Sequence, residues 1–189
     1  MSSMANGLVG VVLAAGAGSR FGGPKALARD DAGAWLPRAC DLLSGAGCEP
    51  VLALLGAEAD EARHLLPRGA HGVVVARWSE GIGASLHAAL EVAQSVHAGA
   101  VLVTLVDLPS LAPEAVARVV ERWTGDPQVL ARAVDGDTPG HPVLIGAAHL
   151  RPLLATVGGG RGAAHYLEAH HAEAVDCTGL GVATDVDTP

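Results

Sequence analysis

The sequence predicts an α/β fold in which a mostly parallel sheet lies between two layers of helices. Two observations support this prediction: short apolar runs alternate with stretches of helical periodicity, and the strongest run, Val101–Val106, is apolar almost throughout. A strand that is covered on both faces has such a continuous apolar sequence. Because parallel strands need crossover connections, strands that alternate with helices indicate a doubly wound sheet with helices on both faces.

The predicted strands are short and rich in Val and Leu, and helices separate them. Leu8–Leu13 is the first, and the others in chain order are Val51–Leu55, Val73–Ala76, Val101–Val106, Val129–Ala131 and Val143–Ile145. From Ile82 onward, apolar residues recur at helical spacing. Pro113, which suits the first position of a helix, begins another one whose apolar face extends to Trp123. The pattern contains neither repeat nor linker, so residues 1–189 form a single predicted domain.

The composition argues against several classes of protein. The formal net charge is −8, whereas a nucleic-acid-binding surface needs clustered Lys and Arg, so we expect no nucleic-acid partner. Every apolar run is shorter than a membrane-spanning helix requires, and Leu8–Ala15 lacks the basic stretch that precedes a signal-peptide core. The three cysteines have no metal-binding spacing and are typical of free thiols in a reducing compartment. We therefore expect a cytoplasmic protein that has no membrane partner.

The first predicted strand leads directly into a glycine-rich loop with two cations, within Leu13–Lys25. Glycine permits positive φ and a close backbone approach, so successive N–H groups of such a loop can converge on phosphates. Arg20 offers a planar fork for phosphate oxygens and Lys25 a compact charge, so the two could hold both ends of a triphosphate. A glycine-rich turn with two solvated cations is the alternative.

Two other nucleotide-binding patterns, the dinucleotide fingerprint and the Walker A loop, also contain glycine-rich loops. The GxGxxxG spacing from Gly16 is close to a dinucleotide fingerprint, which leaves an NADP-dependent oxidoreductase as an alternative. However, the Gly-Gly-Pro sequence that ends at Pro24 keeps the loop from opening directly into a helix. The acidic residue of a dinucleotide site is also misplaced, because the first one after Val51–Leu55 is Glu58. A Walker A loop is excluded, since the sequence has no Gly-Lys-Ser/Thr.

Carboxylates follow the central strand and recur near the C-terminus. Asp107 comes directly after Val101–Val106, where a cation at the carboxyl edge of the sheet could pair with it. Mg²⁺ commonly binds one or two protein carboxylates together with substrate phosphates and water. Asp185 and Asp187 alternate on a segment that would point them to opposite sides if it is extended, so we expect only one to face a metal. A turn residue at Asp107 and a frayed acidic tail are the alternatives.

Together these segments resemble the molybdenum cofactor nucleotidyltransferases, within the larger MobA-like NTP transferase family. Leu13–Leu27 (LAAGAGSRFGGPKAL) is similar to the family signature LAAGxSxRMGxxK, and Leu105–Pro109 (LVDLP) is similar to its metal-binding LGDMP. Three further segments resemble the family in the same order, namely Arg77–Leu86 (RWSEGIGASL), Gly140–Ile145 (GHPVLI) and Asp185–Pro189 (DVDTP). The resemblance implies a three-layer Rossmann-like nucleotidyltransferase fold and Mg²⁺-dependent transfer of a nucleotidyl group to a phosphorylated acceptor.

The resemblance also implies a role for individual residues. The implied catalytic residues are Arg20, Lys25 and Asp107, and the implied Mg²⁺ ligands are Asp107 and Asp185, with Asp187 as a substitute. The implied nucleotide-binding residues are Leu13, Ala14, Ala15, Gly16, Gly18, Arg20, Lys25, Gly81 and Ser85. Gly81 and Ser85 fall at a predicted helix N-terminus, whose free N–H groups suit anions. The implied acceptor-binding residues are Gly140 and His141.

Two positions bear on the identity of the substrates. Family members with the sequence AAG in the signature tend to use CTP, whereas those with AGG tend to use GTP. This chain has AAG, with Ala15 at the differing position, which favours CTP. Cytidylyltransferases of this kind usually have a GDxGAR-like segment, but Gly160 and Ala164 replace its Asp and Arg, and Arg161 compensates for them only in part. We expect CTP or another NTP as donor, molybdopterin as acceptor and a molybdoenzyme as maturation partner. A sugar 1-phosphate acceptor and a non-catalytic nucleotide-binding or cofactor-binding role are the alternatives.

Overall fold

A seven-stranded sheet organises the computed structural model, which describes residues 7–188. The strands in chain order are β1 (Leu8–Ala14), β2 (Arg29–Asp30), β3 (Gly33–Ala34), β4 (Val51–Leu55), β5 (Ala70–Val74), β6 (Ala100–Leu105), β7 (Leu130–Asp135), β8 (Thr138–Gly146) and β9 (Glu173–Asp176). The α-helices are α1 (Trp35–Gly45), α2 (Ala59–Arg63), α3 (Ile82–Ser95), α4 (Pro113–Val120), α5 (Ala147–Leu154) and α6 (Ala164–Ala169). Short 3-10 turns lie at Lys25–Leu27 and Trp78–Glu80.

The strand order is β5-β4-β1-β6-β8-β7-β9, while β2 and β3 form a separate small hairpin. Strand β4 pairs in parallel with β1 and β5, and the pairs β1/β6 and β7/β9 are also parallel. Only β8 runs antiparallel to its neighbours β6 and β7. The reversal follows from the short β7–β8 connection, because a parallel pair needs a crossover of a dozen or more residues. The predicted fold class, α/β with a mostly parallel sheet between helices, is confirmed.

Side chains of the central strands alternate between two hydrophobic cores. On β1, Leu8 and Val12 belong to the core that contains α1 and α4, while Val9 and Val11 belong to the core that contains α3 and α5. All four are at most 2% exposed, as expected for a strand covered on both faces. Gly10 lets α1 approach the sheet closely, since a Cβ there would lie 3.2 Å from that of Leu43.

The observed elements refine the predicted boundaries. Helix α3 begins at Ile82 and α4 begins at Pro113, both as predicted, but α4 ends at Val120 and does not reach Trp123. Strand β5 lies at Ala70–Val74, three residues before the start of the predicted run, because its parallel pairing with β4 sets its position. It is an edge strand with no fully buried residue, so its apolar pattern was a poor guide to its ends.

The segment after β9 crosses the carboxyl edge of the sheet without regular secondary structure. Three backbone hydrogen bonds hold it there: Ala112 N–H donates to Leu180 O at 3.0 Å, His141 N–H to Val182 O at 2.8 Å, and Val186 N–H to Asp107 O at 3.0 Å. This path returns the C-terminal aspartates to the loop that follows β6. Of the segment predicted from the resemblance at Asp185–Pro189, Pro189 lies outside the described residues.

Two further findings concern properties predicted from composition. Within residues 7–188, helices that combine the length and the apolar character needed to cross a membrane are absent. Cys40, Cys48 and Cys177 are free thiols, as predicted, and all three are buried. Burial raises the pKa of the Cys40 and Cys48 thiols to about 12, so both stay protonated at neutral pH.

Candidate active site

A cavity of about 340 Å³ lies beyond the carboxyl ends of β1 and β6, where ligands bind in open α/β sheets. It contains every residue that the resemblance assigned to the nucleotide: Leu13, Ala14, Ala15, Gly16, Gly18, Arg20, Lys25, Gly81 and Ser85. Asp107 and Asp187 line it too. We call it the charged cavity.

The glycine-rich loop turns sharply at the mouth of the charged cavity. The carbonyl of Gly18 accepts hydrogen bonds from the N–H groups of Phe21 and Gly22, both at 2.9 Å, and of Gly23 at 3.2 Å. Gly18 has a φ of +58°, and a Cβ at this position would collide with the carbonyl oxygen of Gly23. The tight turn therefore requires glycine at position 18, and it brings Arg20 and Lys25 to the same cavity.

Lys25 joins two carboxylates at the floor of this cavity. Its Nζ donates to Asp107 Oδ2 at 2.7 Å and to Asp187 Oδ1 at 2.9 Å, and only 15% of its side chain is exposed. Arg20 is 79% exposed and extends an Nη1 to within 3.3 Å of Asp187 Oδ2. We call the contacts of Lys25 with Asp107 and Asp187 the Lys25 bridge.

The pKa values at the Lys25 bridge follow from these contacts. Burial by itself would lower the pKa of Lys25, but its hydrogen bonds to Asp107 and Asp187 and the charges of both carboxylates outweigh burial and raise it above the usual value. The hydrogen bond and charge of Lys25, together with the charge of Arg20, hold the pKa of Asp187 below its usual value. The contact between Lys25 and Asp187 therefore favours the ionised form of both groups at neutral pH.

Three carboxylates converge beside the Lys25 bridge. One oxygen from each of Asp107, Asp185 and Asp187 lies within 4.8 Å of the others. The expectation that Asp185 and Asp187 point to opposite sides is wrong, because the segment is not a regular strand and Val186 binds the Asp107 carbonyl instead. Hard carboxylate oxygens are the ligands that Mg²⁺ and Mn²⁺ prefer, so the donor set fits a divalent metal ion.

Gly140 and His141 line a second cavity, also of about 340 Å³, which we call the apolar cavity. Its walls come from α3, β6, β8 and α6, and include Leu86, Val103, Val143, Ile145, Ala164 and Leu167. Leu13 and Ile82 line both cavities, so the two adjoin. Gly140 and His141, which the resemblance assigned to the acceptor, therefore line the apolar cavity. The residues assigned to the nucleotide line the charged cavity, and Leu13 and Ile82 form the wall between the two.

His141 is one of the polar side chains that line the apolar cavity. Its Nδ1 lies 3.3 Å from Val103 O and must donate, because a carbonyl oxygen only accepts. Burial lowers the pKa of His141 and outweighs the opposing effects of the Val103 carbonyl and Asp107. The ring is therefore neutral near pH 7, and Nε2 carries a lone pair that can accept a hydrogen bond.

The segment in which Gly160 and Ala164 depart from the family pattern lies beside the apolar cavity. Gly159 O accepts a hydrogen bond of 2.9 Å from Gly83 N–H at the start of α3, so this turn packs against the first turn of that helix. Ala164 is the first residue of α6 and lines the apolar cavity. A Cβ at Gly160 would meet no atom within 4 Å, so the missing acidic side chain leaves open space.

Sequence reasoning missed part of the charged cavity. Its further lining residues are Ser19, Phe21, Trp78, Ile82, Leu105 and Val106. Trp78 and Ile82 lie within Arg77–Leu86, the segment that resembles the family, so the sequence contained a signal for both. Leu105 and Val106 had been predicted as part of a buried strand, yet they are at its carboxyl end and border the cavity.

Residues 10–175 match the model of the MobA-like NTP transferase domain, so this chain belongs to that family. It is 34% identical over 191 residues to nicotine blue oxidoreductase of Paenarthrobacter nicotinovorans, with 96% of this chain and 92% of that protein covered. It is also 31% identical over 140 residues to a probable molybdenum cofactor guanylyltransferase of Rhodopirellula baltica, with 74% and 66% covered. The predicted family resemblance is confirmed.

Solved structures of a relative support the fold. Rv0371c of Mycobacterium tuberculosis has 28% identity and a TM-score of 0.76, and the match covers 100% of this chain and 95% of that one. A second structure of that protein is a complex with manganese; it has 26% identity and a TM-score of 0.72 over 96% and 93% of the two chains. A divalent metal ion thus binds a relative with the same fold.

Proposed function

We propose that this chain is a Mg²⁺-dependent nucleotidyltransferase that transfers CMP from CTP to molybdopterin. The main observation in support is the charged cavity, in which the glycine-rich loop, Arg20 and Lys25 meet the carboxylates of Asp107 and Asp187, with the carboxylate of Asp185 close to both. Membership in the MobA-like NTP transferase family supports nucleotidyl transfer. The Rhodopirellula relative supports a molybdenum cofactor acceptor, and Ala15 supports CTP as the donor.

In the proposed reaction a phosphate oxygen of the acceptor attacks the α-phosphorus of CTP in line, and pyrophosphate leaves. Lys25 and Arg20 bind the triphosphate and offset the charge that develops on the leaving pyrophosphate. The loop from Leu13 to Gly18 positions the nucleotide through its backbone, so reacting atoms are held close together. Mg²⁺ held by Asp107, with Asp185 and Asp187 beside it, would neutralise phosphate charge. This chemistry needs no nucleophilic side chain.

We assign the acceptor to the apolar cavity. Its walls are mostly aliphatic, which suits a planar ring system, and it adjoins the charged cavity through Leu13 and Ile82. Gly140 permits the close approach of the C-terminal segment, and His141 offers a hydrogen-bond acceptor. A molybdoenzyme that receives the dinucleotide product in the cytoplasm is the partner that this function requires.

Pyrophosphate release tests the proposal directly. Purified protein with Mg²⁺, CTP and molybdopterin should release pyrophosphate, more slowly with GTP in place of CTP, and hardly at all without the acceptor or with EDTA. A panel of sugar 1-phosphates in place of molybdopterin tests the alternative acceptor class. Binding of CTP without pyrophosphate release for any acceptor would contradict the proposal and favour a non-catalytic binding role.

An oxidoreductase is the second candidate function. It is favoured by the 34% identity to nicotine blue oxidoreductase over nearly all of both chains, and by the GxGxxxG spacing from Gly16. In such a reaction a reduced nicotinamide would give a hydride to a conjugated acceptor in the apolar cavity, and solvent would supply the accompanying proton. The test is oxidation of NADPH or NADH in the presence of nicotine blue, with and without EDTA. Turnover in EDTA without CTP would favour this candidate.

A further inference from the structure

The Lys25 bridge lies at the position of the proposed metal ion. The ammonium is 2.7 Å from an oxygen of Asp107 and 2.9 Å from an oxygen of Asp187, so it contacts two of the three clustered carboxylates. Asp185, the third, has an oxygen within 4.8 Å of the other two. The ammonium of Lys25 therefore already neutralises part of the negative charge of the three carboxylates that would bind the metal ion.

The ammonium and a divalent cation compete for these oxygens. Mg²⁺ approaches its oxygen ligands to about 2.0–2.1 Å, so an ion shared by Asp107 and Asp187 would lie next to the ammonium of Lys25. Two cations at that separation repel each other, and partial burial weakens the screening by water. Metal binding at this pair consequently requires that the ammonium of Lys25 moves away.

The lysine side chain can move while its backbone stays in place. Lys25 begins a 3-10 turn, in which Leu27 N–H donates to Pro24 O at 2.9 Å and Ala28 N–H to Lys25 O at 3.1 Å. Ala26, the next residue, is 1% exposed and anchors the turn in the core. The four-carbon stem of Lys25 therefore determines which acceptors the ammonium can contact, and Lys25 itself lines the charged cavity in which the triphosphate would bind.

We propose that Lys25 couples metal binding to nucleotide binding by cation exchange. Its ammonium neutralises Asp107 and Asp187 until a triphosphate enters the charged cavity and takes over the ammonium, which frees the carboxylate oxygens for the metal ion. The inference rests on the proposed function, because it uses the same metal ligands and the same nucleotide. It follows that the metal alone binds weakly and that metal and nucleotide raise each other's affinity, since such coupling is reciprocal.

Mn²⁺ binding without nucleotide tests the exchange, with free Mn²⁺ measured by electron paramagnetic resonance. Lys25→Met keeps an apolar stem and removes the ammonium, so it should bind Mn²⁺ more tightly than the wild type, within the range of about 5–150-fold that coupled sites show. Arg20→Met is the matched control. It removes the same unit of charge near Asp187, but Arg20 is 79% exposed and contacts only one of the carboxylates, so its effect should be less than that of Lys25→Met.

A double variant localises the bound ion. Lys25→Met combined with Asp107→Asn should lose the gained Mn²⁺ affinity, because one of the three carboxylates is then neutral. Circular dichroism verifies folding of each variant. If Lys25→Met does not fold, Lys25→Gln, which keeps a hydrogen-bond donor for the carboxylates, replaces it in the same comparison.

The outcomes separate this inference from the proposed function. Equally tight Mn²⁺ binding by the wild type and Lys25→Met would overturn the exchange and leave the metal site intact. An equal gain in Arg20→Met would also overturn it, because general loss of positive charge would then account for the effect. If neither variant binds Mn²⁺, and the wild type with CTP does not either, the metal site itself is absent and both proposals fail.

Discussion

The charged cavity and the apolar cavity have the same volume, about 340 Å³, and share Leu13 and Ile82, yet they are built differently. The charged cavity depends on ionised side chains in mutual contact and on a turn that only glycine permits. The apolar cavity depends on aliphatic walls, and the two departures from the family pattern, Gly160 and Ala164, are beside it. The contrast places the segment that matches the family signature at the charged cavity and the two departures from the family pattern beside the apolar cavity.

Removing one carboxylate of the charged cavity should have the largest effect. Asp107→Asn loses both a proposed metal ligand and a partner of Lys25, so turnover should fall roughly 10²-fold or more while the fold stays intact. Pyrophosphate release measures turnover, and circular dichroism verifies the fold. Asp137→Asn, in the exposed β7–β8 turn, is the control and should keep full activity. Near-normal turnover of Asp107→Asn would remove the metal assignment.

The glycine-rich turn provides the next test of the charged cavity. Gly18→Ala forces a Cβ onto the Gly23 carbonyl at a φ of +58°, so the free energy of unfolding should fall by about 1–3 kcal/mol and CTP affinity should fall with it. Gly16→Ala is the control in the same loop, because its Cβ meets open space and its φ is not positive. Its free energy of unfolding should stay within about 0.5 kcal/mol of the wild type. Equal stability of the two variants in urea denaturation would contradict the required turn.

Restoring the family pattern tests the apolar cavity. If molybdopterin is the acceptor, Gly160→Asp combined with Ala164→Arg should lower its KM by about tenfold, through added hydrogen bonds to charged groups. The open space at Gly160 accommodates the new side chain, and Ala164 begins a helix at the surface. The KM for CTP is the internal control and should not change. An unchanged KM for molybdopterin would indicate that this chain uses another acceptor.

The smallest expected effect concerns His141 and the pH dependence of stability. Because burial lowers the pKa of His141, its contribution to stability is complete above the unfolded pKa and is lost as the pH falls towards the lower folded value. The free energy of unfolding of His141→Gln should therefore decrease less than that of the wild type below about pH 6.5. Urea denaturation across this range measures the slope, with the exposed His71→Gln as control. Parallel slopes for His141→Gln and the wild type would contradict the lowered pKa of His141.

Much of the fold could be predicted because its central elements are buried on both sides. Strands β1, β4 and β6 are continuous apolar runs, and α3 has a clear apolar face, so local pattern and final structure agree. The sequence analysis did not predict helices α1, α2, α5 and α6, the hairpin strands β2 and β3, or the edge strand β9. The burial pattern of β9 is mostly exposed, so its pairing with β7, and not its own hydrophobicity, defines it as a strand.

The candidate site was predictable where one contiguous segment determines it, as in the loop from Leu13 to Lys25. The position of Asp187 could not be predicted, because it depends on contacts between residues far apart in the sequence. Asp187 and Lys25 are separated by 162 residues. Alternation along an extended chain was the wrong rule there, since the backbone bond from Val186 to the Asp107 carbonyl fixes the local path. The contribution of Arg132 to the apolar cavity likewise depends on the β7–β8 pairing.

The reversed direction of β8 has a consequence for how this scaffold can diversify. Because β8 runs against β6, its first residues meet the carboxyl edge, and so Gly140 and His141 reach the apolar cavity from a hairpin that is distant in sequence from the glycine-rich loop. Substitutions or length changes in the β7–β8 hairpin can therefore change the shape of the apolar cavity without a change in the sequence of the glycine-rich loop. Protein engineers could exchange it between relatives to obtain new group-transfer acceptors on an unaltered nucleotide platform.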